Sequence, residues 1–129
     1  MMSNKNLCIL FTGQGTQYPE MGLDLSNNFK WVKDRYEKSS DILGYDVLKT
    51  QQNPELINLT EYSQPMIFIL SSIIIDIFKH KIIEHPSNIT LAGHSLGEYC
   101  ALYYAEALGF EEMLALVKTR GESMSKVSD

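Results

Sequence analysis

Two kinds of apolar pattern alternate along the chain. Leu7–Phe11 and Ile89–Ala92 are short, continuous apolar or β-branched runs that end near glycine, the pattern of buried strands. Elsewhere the apolar positions recur at helical spacing. Phe29, Val32, Tyr36, Ile42 and Leu43 give a patchy helical period over 28–43, with Gly44 as its stop. Residues 44–60 look irregular, with short helical turns and a break at Pro54. Ser63 to Ile83 reads as one long helix with Pro65 in its first turn. Its isoleucines also suit a strand, but a strand of that length is improbable. A loop at 85–88 leads into the second strand. A helical segment from Leu96 to about Leu108 follows, and Gly109 separates it from a last amphipathic helix, Phe110 to about Met124. The apolar stripe of that helix is Met113, Leu114, Leu116 and Val117.

Strand, helices, strand, tight turn and helix imply an α/β fold around a parallel sheet. Two strands are too few to give these helices a sheet to cover on both faces. The pattern therefore predicts an incomplete domain over residues 1–129, with helices such as Phe110–Met124 exposing apolar faces.

Composition narrows the class. The chain has 129 residues, 44% hydrophobic and 21% charged, which fits one globular unit rather than two domains or a disordered tail. Eleven Lys and Arg stand against sixteen Asp and Glu, the opposite of a generic nucleic-acid binder. Met66–Phe78, the most hydrophobic stretch, holds Ser71, Ser72 and Asp76 and falls short of the roughly 20 apolar residues a membrane span needs. Leu7–Phe11 is too short for a signal-peptide core. Cys8 and Cys100 share no ligand spacing and read as two buried thiols in a reducing compartment rather than a disulfide. A cytoplasmic protein is expected.

The chemistry centres on Gly93-His94-Ser95-Leu96-Gly97, a Gly-x-Ser-x-Gly set between a strand and a helix. This is the nucleophile-elbow arrangement. A nucleophile on so tight a turn needs small neighbours at −2 and +2, and Gly93 and Gly97 supply them. The turn lifts the Ser95 hydroxyl to the start of the next helix, where the Leu96 N–H points toward an oxyanion. An ordinary strand-to-helix turn with a capping serine is the competing explanation. A serine also needs a base within hydrogen-bond reach. The histidines are His80, His85 and His94. His94 adjoins Ser95, and the strand-end geometry turns its side chain away. His80 and His85 lie among Lys79, Lys81 and Glu84 and read as solvated. The sequence thus offers a nucleophile without a credible activator.

Two motifs read together resemble a known family. Phe-Thr-Gly-Gln-Gly-Thr-Gln over 11–17 and Gly-His-Ser-Leu-Gly-Glu-Tyr over 93–99 resemble the acyltransferase family, which holds the malonyl-CoA:acyl carrier protein transacylases and the acyltransferases of polyketide synthases. Tyr62-Ser63-Gln64-Pro65, Leu43-Gly44-Tyr45-Asp46 and Arg120-Gly121 followed by Met124 fit as well. The resemblance runs from Leu7 to about Met124. It implies that Ser95 carries the acyl ester, that the N–H groups of Gln14 and Leu96 form the oxyanion hole, and that Arg120 binds the free carboxylate of a malonyl-type group. A guanidinium fork suits that contact. Relatives that hydrolyse stalled acyl chains tend to lack this arginine. Taken singly, Arg120 reads as a surface arginine, Gln14 and Gln17 as a polar loop, and Gln64-Pro65 as a helix start. Thr12 and Thr16 depart from the proline and serine common in the family.

The resemblance also implies what is not here. The family's catalytic histidine lies well downstream of the arginine, after a ferredoxin-like subdomain inserted in an α/β-hydrolase-like domain, and this chain stops at Asp129. The expectation is the N-terminal part of the large α/β subdomain, cut or split from the rest and nearly inactive alone. Loss of general-base assistance costs about 10²–10⁴-fold. The implied partners are malonyl-CoA, an acyl carrier protein and a missing C-terminal half or polyketide synthase. No metal or redox cofactor is needed. The competing functions are a serine hydrolase or thioesterase, and a non-catalytic remnant that binds a carrier protein.

Overall fold

A computed structural model describes residues 5–81 and 86–127. In chain order the elements are β1 (Asn6–Phe11), α1 (Leu23–Asn28), α2 (Lys30–Leu43), α3 (Val47–Gln51), α4 (Thr60–Lys81), β2 (Asn88–Gly93), α5 (Gly97–Tyr104) and α6 (Phe110–Val127). β1 and β2 pair in parallel, from Asn6 opposite Asn88 to Phe11 opposite Gly93. Parallel pairing requires a long crossover, which α1 to α4 provide. Because both strands end at the same level, the two loops that leave their carboxyl ends emerge side by side. Ligands of open α/β sheets bind at such a place.

α4 is the central helix. Its residues 63–69 are all buried, and it packs against α2, α3, α5 and α6. By length and composition it could cross a membrane, but here it forms the core. Phe68 stacks on Phe110 with centroids 5.9 Å apart. One polar cluster ties the far end together. Arg35 pairs with Asp76 at 2.6 Å, the Tyr103 hydroxyl donates to the same carboxylate, and the guanidinium lies 4.7 Å from the Phe110 ring.

Local signals explain the element ends. Gly44 caps α2 in the left-handed region, and Asp46 caps α3 by accepting from the Lys49 N–H at 3.0 Å. The Leu43–Asp46 motif is therefore a helix-to-helix corner. α5 stops four residues before the expected Leu108. Glu106 takes a left-handed φ of 61°, the Ala107 N–H bonds the Leu102 carbonyl, and Lys79 binds both the Tyr104 carbonyl and the Glu106 carboxylate. This is a Schellman-type end with glutamate where glycine is usual.

Other expectations need correction. Residues 28–43 are not one helix: Phe29 is extended and separates α1 from α2. The long helix begins at Thr60, so Pro65 lies past its first turn. Ile82 and Ile83, its expected end, lie outside the described residues. α6 runs on to Val127, and Leu116 is exposed rather than part of the buried stripe. Met113, Leu114 and Val117 are fully buried, so most of the α6 stripe is covered, while Leu116, Met124 and Val127 stay exposed. α4 is apolar almost all round and covers α6 without help from a sheet. Apolar surface is also left open on the sheet. β1 alternates exposed and half-buried, with α5 packed on the strand pair; Cys8 is exposed and Leu10 is 74% exposed. Cys8 is thus not a buried thiol.

Candidate active site

The strand-to-helix turn is forced by its glycines. Ser95 has φ 53°, a left-handed conformation that a non-glycine residue adopts at a cost of about 1–2 kcal/mol. A Cβ on Gly93 would lie 2.2 Å from the Gly97 carbonyl carbon, and one on Gly97 would lie 2.3 Å from the Phe11 oxygen. Only glycine fits either position. The His94 N–H donates to the Phe11 carbonyl at 3.1 Å, which extends the strand pairing by one residue into the elbow. The Glu98 N–H closes the turn on the Ser95 carbonyl at 3.1 Å. The Ser95 side chain is left exposed above the buried Leu96, at the N-terminus of α5.

The loop after β1 lies against this elbow. A Cβ on Gly13 would come 2.6 Å from the His94 carbonyl oxygen, so the two backbones touch. Thr16 Oγ1 donates to the Gly13 carbonyl at 2.9 Å, and the Gly15 N–H donates to Gln17 Oε1 at 2.8 Å. The departure at Thr16 therefore holds the loop. Gln14 Nε2 reaches Thr60 Oγ1 at 3.1 Å and Gln17 Nε2 reaches Asn58 Oδ1 at 3.1 Å, tethering the loop to the start of α4. Among the described residues, the backbone N–H groups of Gln14 and Leu96 donate to no protein acceptor.

Arg120 comes to the same place from α6. Its Nη2 donates to Ser95 Oγ at 3.1 Å, its Nη1 donates to Gln64 Oε1 at 2.6 Å, and its guanidinium lies 5.2 Å from the Tyr99 ring centre. It is half-buried and not a free surface arginine. Gly121 makes this reach possible. A Cβ there would sit 3.2 Å from the Glu61 Cα and the Thr60 oxygen, so α6 crosses close over the first turn of α4.

The histidines do not join the group. The His94 ring lies beside Gly13, its Nδ1 being 3.2 Å from where a Cβ would stand. His80 is exposed in the last turn of α4, and His85 lies outside the described residues. Among the described residues, the side chain bonded to Ser95 Oγ is Arg120. The sequence motifs gave Gln64, Tyr99 and Met124 no chemical part, yet Gln64 and Tyr99 touch the arginine and Met124 accepts from Gln64. One signal was available: Arg120 and Met124 are four apart on one helix and share a face. The arrangement offers an exposed hydroxyl on a strained turn, two backbone amides without an acceptor among the described residues, and a cationic fork at the hydroxyl. These features suit an acyl group that carries a second carboxylate.

Known proteins resemble this chain in sequence and in fold. The malonyl CoA-acyl carrier protein transacylase of Synechocystis sp. is 38% identical over 120 residues, covering 92% of this chain and 40% of that protein. The polyketide biosynthesis malonyl CoA-acyl carrier protein transacylase of Bacillus subtilis is also 38% identical, over 93% of this chain and 41% of its own length. A solved malonyl-transacylase in complex with a type II polyketide synthase acyl-carrier protein superposes with a TM-score of 0.83 at 35% identity, over 95% of this chain and 40% of that one. The chain thus spans about 40% of the length of these two curated relatives. Residues 8–129 match the acyl transferase domain, and the chain belongs to that family.

Proposed function

We propose that residues 1–129 form the nucleophile-bearing part of an acyltransferase that moves a malonyl or related dicarboxylic acyl group from coenzyme A to an acyl carrier protein, in fatty acid or polyketide synthesis. The observation that carries this reading is the Arg120 fork bonded to Ser95 Oγ. A cation placed at the nucleophile has no use for a neutral acyl chain and a clear use for one ending in a carboxylate. It also weighs against a simple serine hydrolase, which needs no guanidinium there.

In this reading Ser95 Oγ attacks the thioester carbon of malonyl-CoA. The amides of Gln14 and Leu96 receive the oxyanion, and Arg120 turns from Ser95 to the malonyl carboxylate. The hydroxyl proton passes to a base and then to the coenzyme A thiolate as the C–S bond breaks, leaving malonyl-Ser95. The carrier-protein thiol attacks next and regenerates Ser95, a ping-pong cycle. His94 and the two glycines shape the turn. None of the described histidines bonds Ser95 Oγ, and without a general base the reaction is slow by about 10²–10⁴-fold. We place the reaction in the cytoplasm.

Equilibrium binding tests the reading. The chain should bind malonyl-CoA about tenfold or more tightly than acetyl-CoA, as a charge-assisted contact worth about 1.4 kcal/mol requires. Arg120→Ala should remove the preference. Equal affinities in the unaltered chain would sink the proposal.

A further inference from the structure

Gln64 is 1% exposed, yet it sits in the first turns of α4 directly behind the arginine. Its Oε1 accepts from Arg120 Nη1 at 2.6 Å, and its Nε2 donates to Met124 Sδ at 3.2 Å. A carboxamide has one accepting and one donating end, and its two neighbours here are unambiguous. A guanidinium only donates and a thioether sulfur only accepts. Turned over, the amide would set its NH₂ against the guanidinium and its oxygen against the sulfur. The arrangement has one sense.

The consequence falls on Arg120. Its side chain is long and only half-buried, so by itself it could point in many directions. With Nη1 held from the buried side by Gln64 and the ring of Tyr99 alongside, Nη2 is aimed at Ser95 Oγ. That is where the tail of an acyl group bonded to Ser95 begins.

We propose that Gln64 is a positioning residue. It sets the direction of the Arg120 guanidinium and thereby the choice of carboxylate-bearing over neutral acyl groups, and Met124 fixes the sense of its amide. The proposal rests on the reading of Arg120 as the carboxylate clamp. A bidentate contact loses most of its strength when the fork is free to rotate, because ordering the fork must then come out of the binding free energy.

The chain has two arginines, Arg35 and Arg120, so the arginine side-chain signals in a ¹H–¹⁵N spectrum of the whole chain separate into two sets. Arg35, locked to Asp76, reports that the fold is intact. Without ligand, the Arg120 Nη groups should rotate slowly in the unaltered protein and average in Gln64→Ala. On titration with malonyl-CoA and acetyl-CoA, Gln64→Ala should lose about tenfold of the malonyl preference. Should Gln64→Ala fail to fold, Gln64→Glu keeps the shape and an acceptor. It should hold Arg120 still while losing more than tenfold in malonyl preference, because its own carboxylate competes with the substrate's. The proposal is overturned if either variant keeps Arg35 unchanged and also keeps the unaltered protein's malonyl preference. It is equally overturned if Arg120 dynamics in Gln64→Ala match the unaltered protein. If Arg120 of the unaltered protein ignores malonyl-CoA, the clamp reading fails, and with it the selectivity role. The ligand-free comparison still decides separately whether Gln64 aims the arginine.

Discussion

Arg120 Nη2 donates to Ser95 Oγ at 3.1 Å, joining the start of α5 to the middle of α6. The same guanidinium satisfies the buried Gln64 oxygen. Arg120→Ala strips that oxygen of its partner, and an unsatisfied buried acceptor costs about 1–2 kcal/mol. Urea unfolding should show a loss of that size. Arg120→Lys should recover part of the stability, since an ammonium can reach one acceptor, but not the preference for malonyl-CoA, because it has no fork. Full recovery of both would mean that charge alone matters at this position.

The left-handed φ of Ser95 makes a separate prediction. Glycine tolerates that conformation and alanine does not. Ser95→Gly should therefore be about 1 kcal/mol more stable than Ser95→Ala, although both lack the hydroxyl. Equal unfolding midpoints for the two variants would remove the strain from the account of the elbow.

Steric limits at the glycines can be tested in the same way. Gly97→Ala drives a Cβ into the Phe11 carbonyl, which is backbone and cannot swing aside. A loss of about 3 kcal/mol is expected, at the upper end of the usual overpacking range. Gly121→Ala meets the α4 backbone at 3.2 Å and should cost less, about 1 kcal/mol. It should also lift Arg120 off Gln64, so its arginine signals should resemble those of Gln64→Ala. A Gly121→Ala protein with unaltered Arg120 signals would show that the close helix crossing does not place the arginine.

The two thiols should behave oppositely. Cys8 is exposed on the open sheet face, while Cys100 is fully buried and burial pushes its thiol pKa up to about 11. A thiol reagent at pH 8 should modify Cys8 within minutes and Cys100 only on unfolding. Because the folded pKa is raised, the contribution of Cys100 to stability is complete below the ordinary thiol range, near pH 8.5, and is lost as pH rises toward 11. Burial raises Tyr36, Tyr45 and Tyr103 as well, which adds to alkaline sensitivity. Cys100→Ala should flatten the fall in stability between about pH 9 and 11.

The sequence carried the site further than the fold. Gly93, Ser95 and Gly97 could be placed on a turn from spacing alone, since that spacing has few other uses. The strands and α4 were equally plain, being long or continuous runs. The helix end at Glu106 was hidden because its left-handed residue is not glycine, and its cap comes from Lys79, distant in sequence. The error over Cys8 has the same root. Its strand reads as buried on both faces, but the described residues cover only one. Gln64 was visible as part of a motif, yet its role depends on α6 crossing α4, and no local pattern encodes that contact.

We propose that Ser95 is a nucleophile with the Gln14 and Leu96 amides as its oxyanion donors and Arg120 as its carboxylate clamp, and that none of the described residues serves as its base. The most direct measurement is peptide-mapped mass analysis of the chain incubated with malonyl-CoA at pH 8, with and without added imidazole. Slow malonylation confined to Ser95 is expected, strongly accelerated by imidazole and absent in Ser95→Ala. Rapid stoichiometric malonylation without imidazole would contradict the missing base. An unmodified Ser95 under both conditions would contradict the site itself.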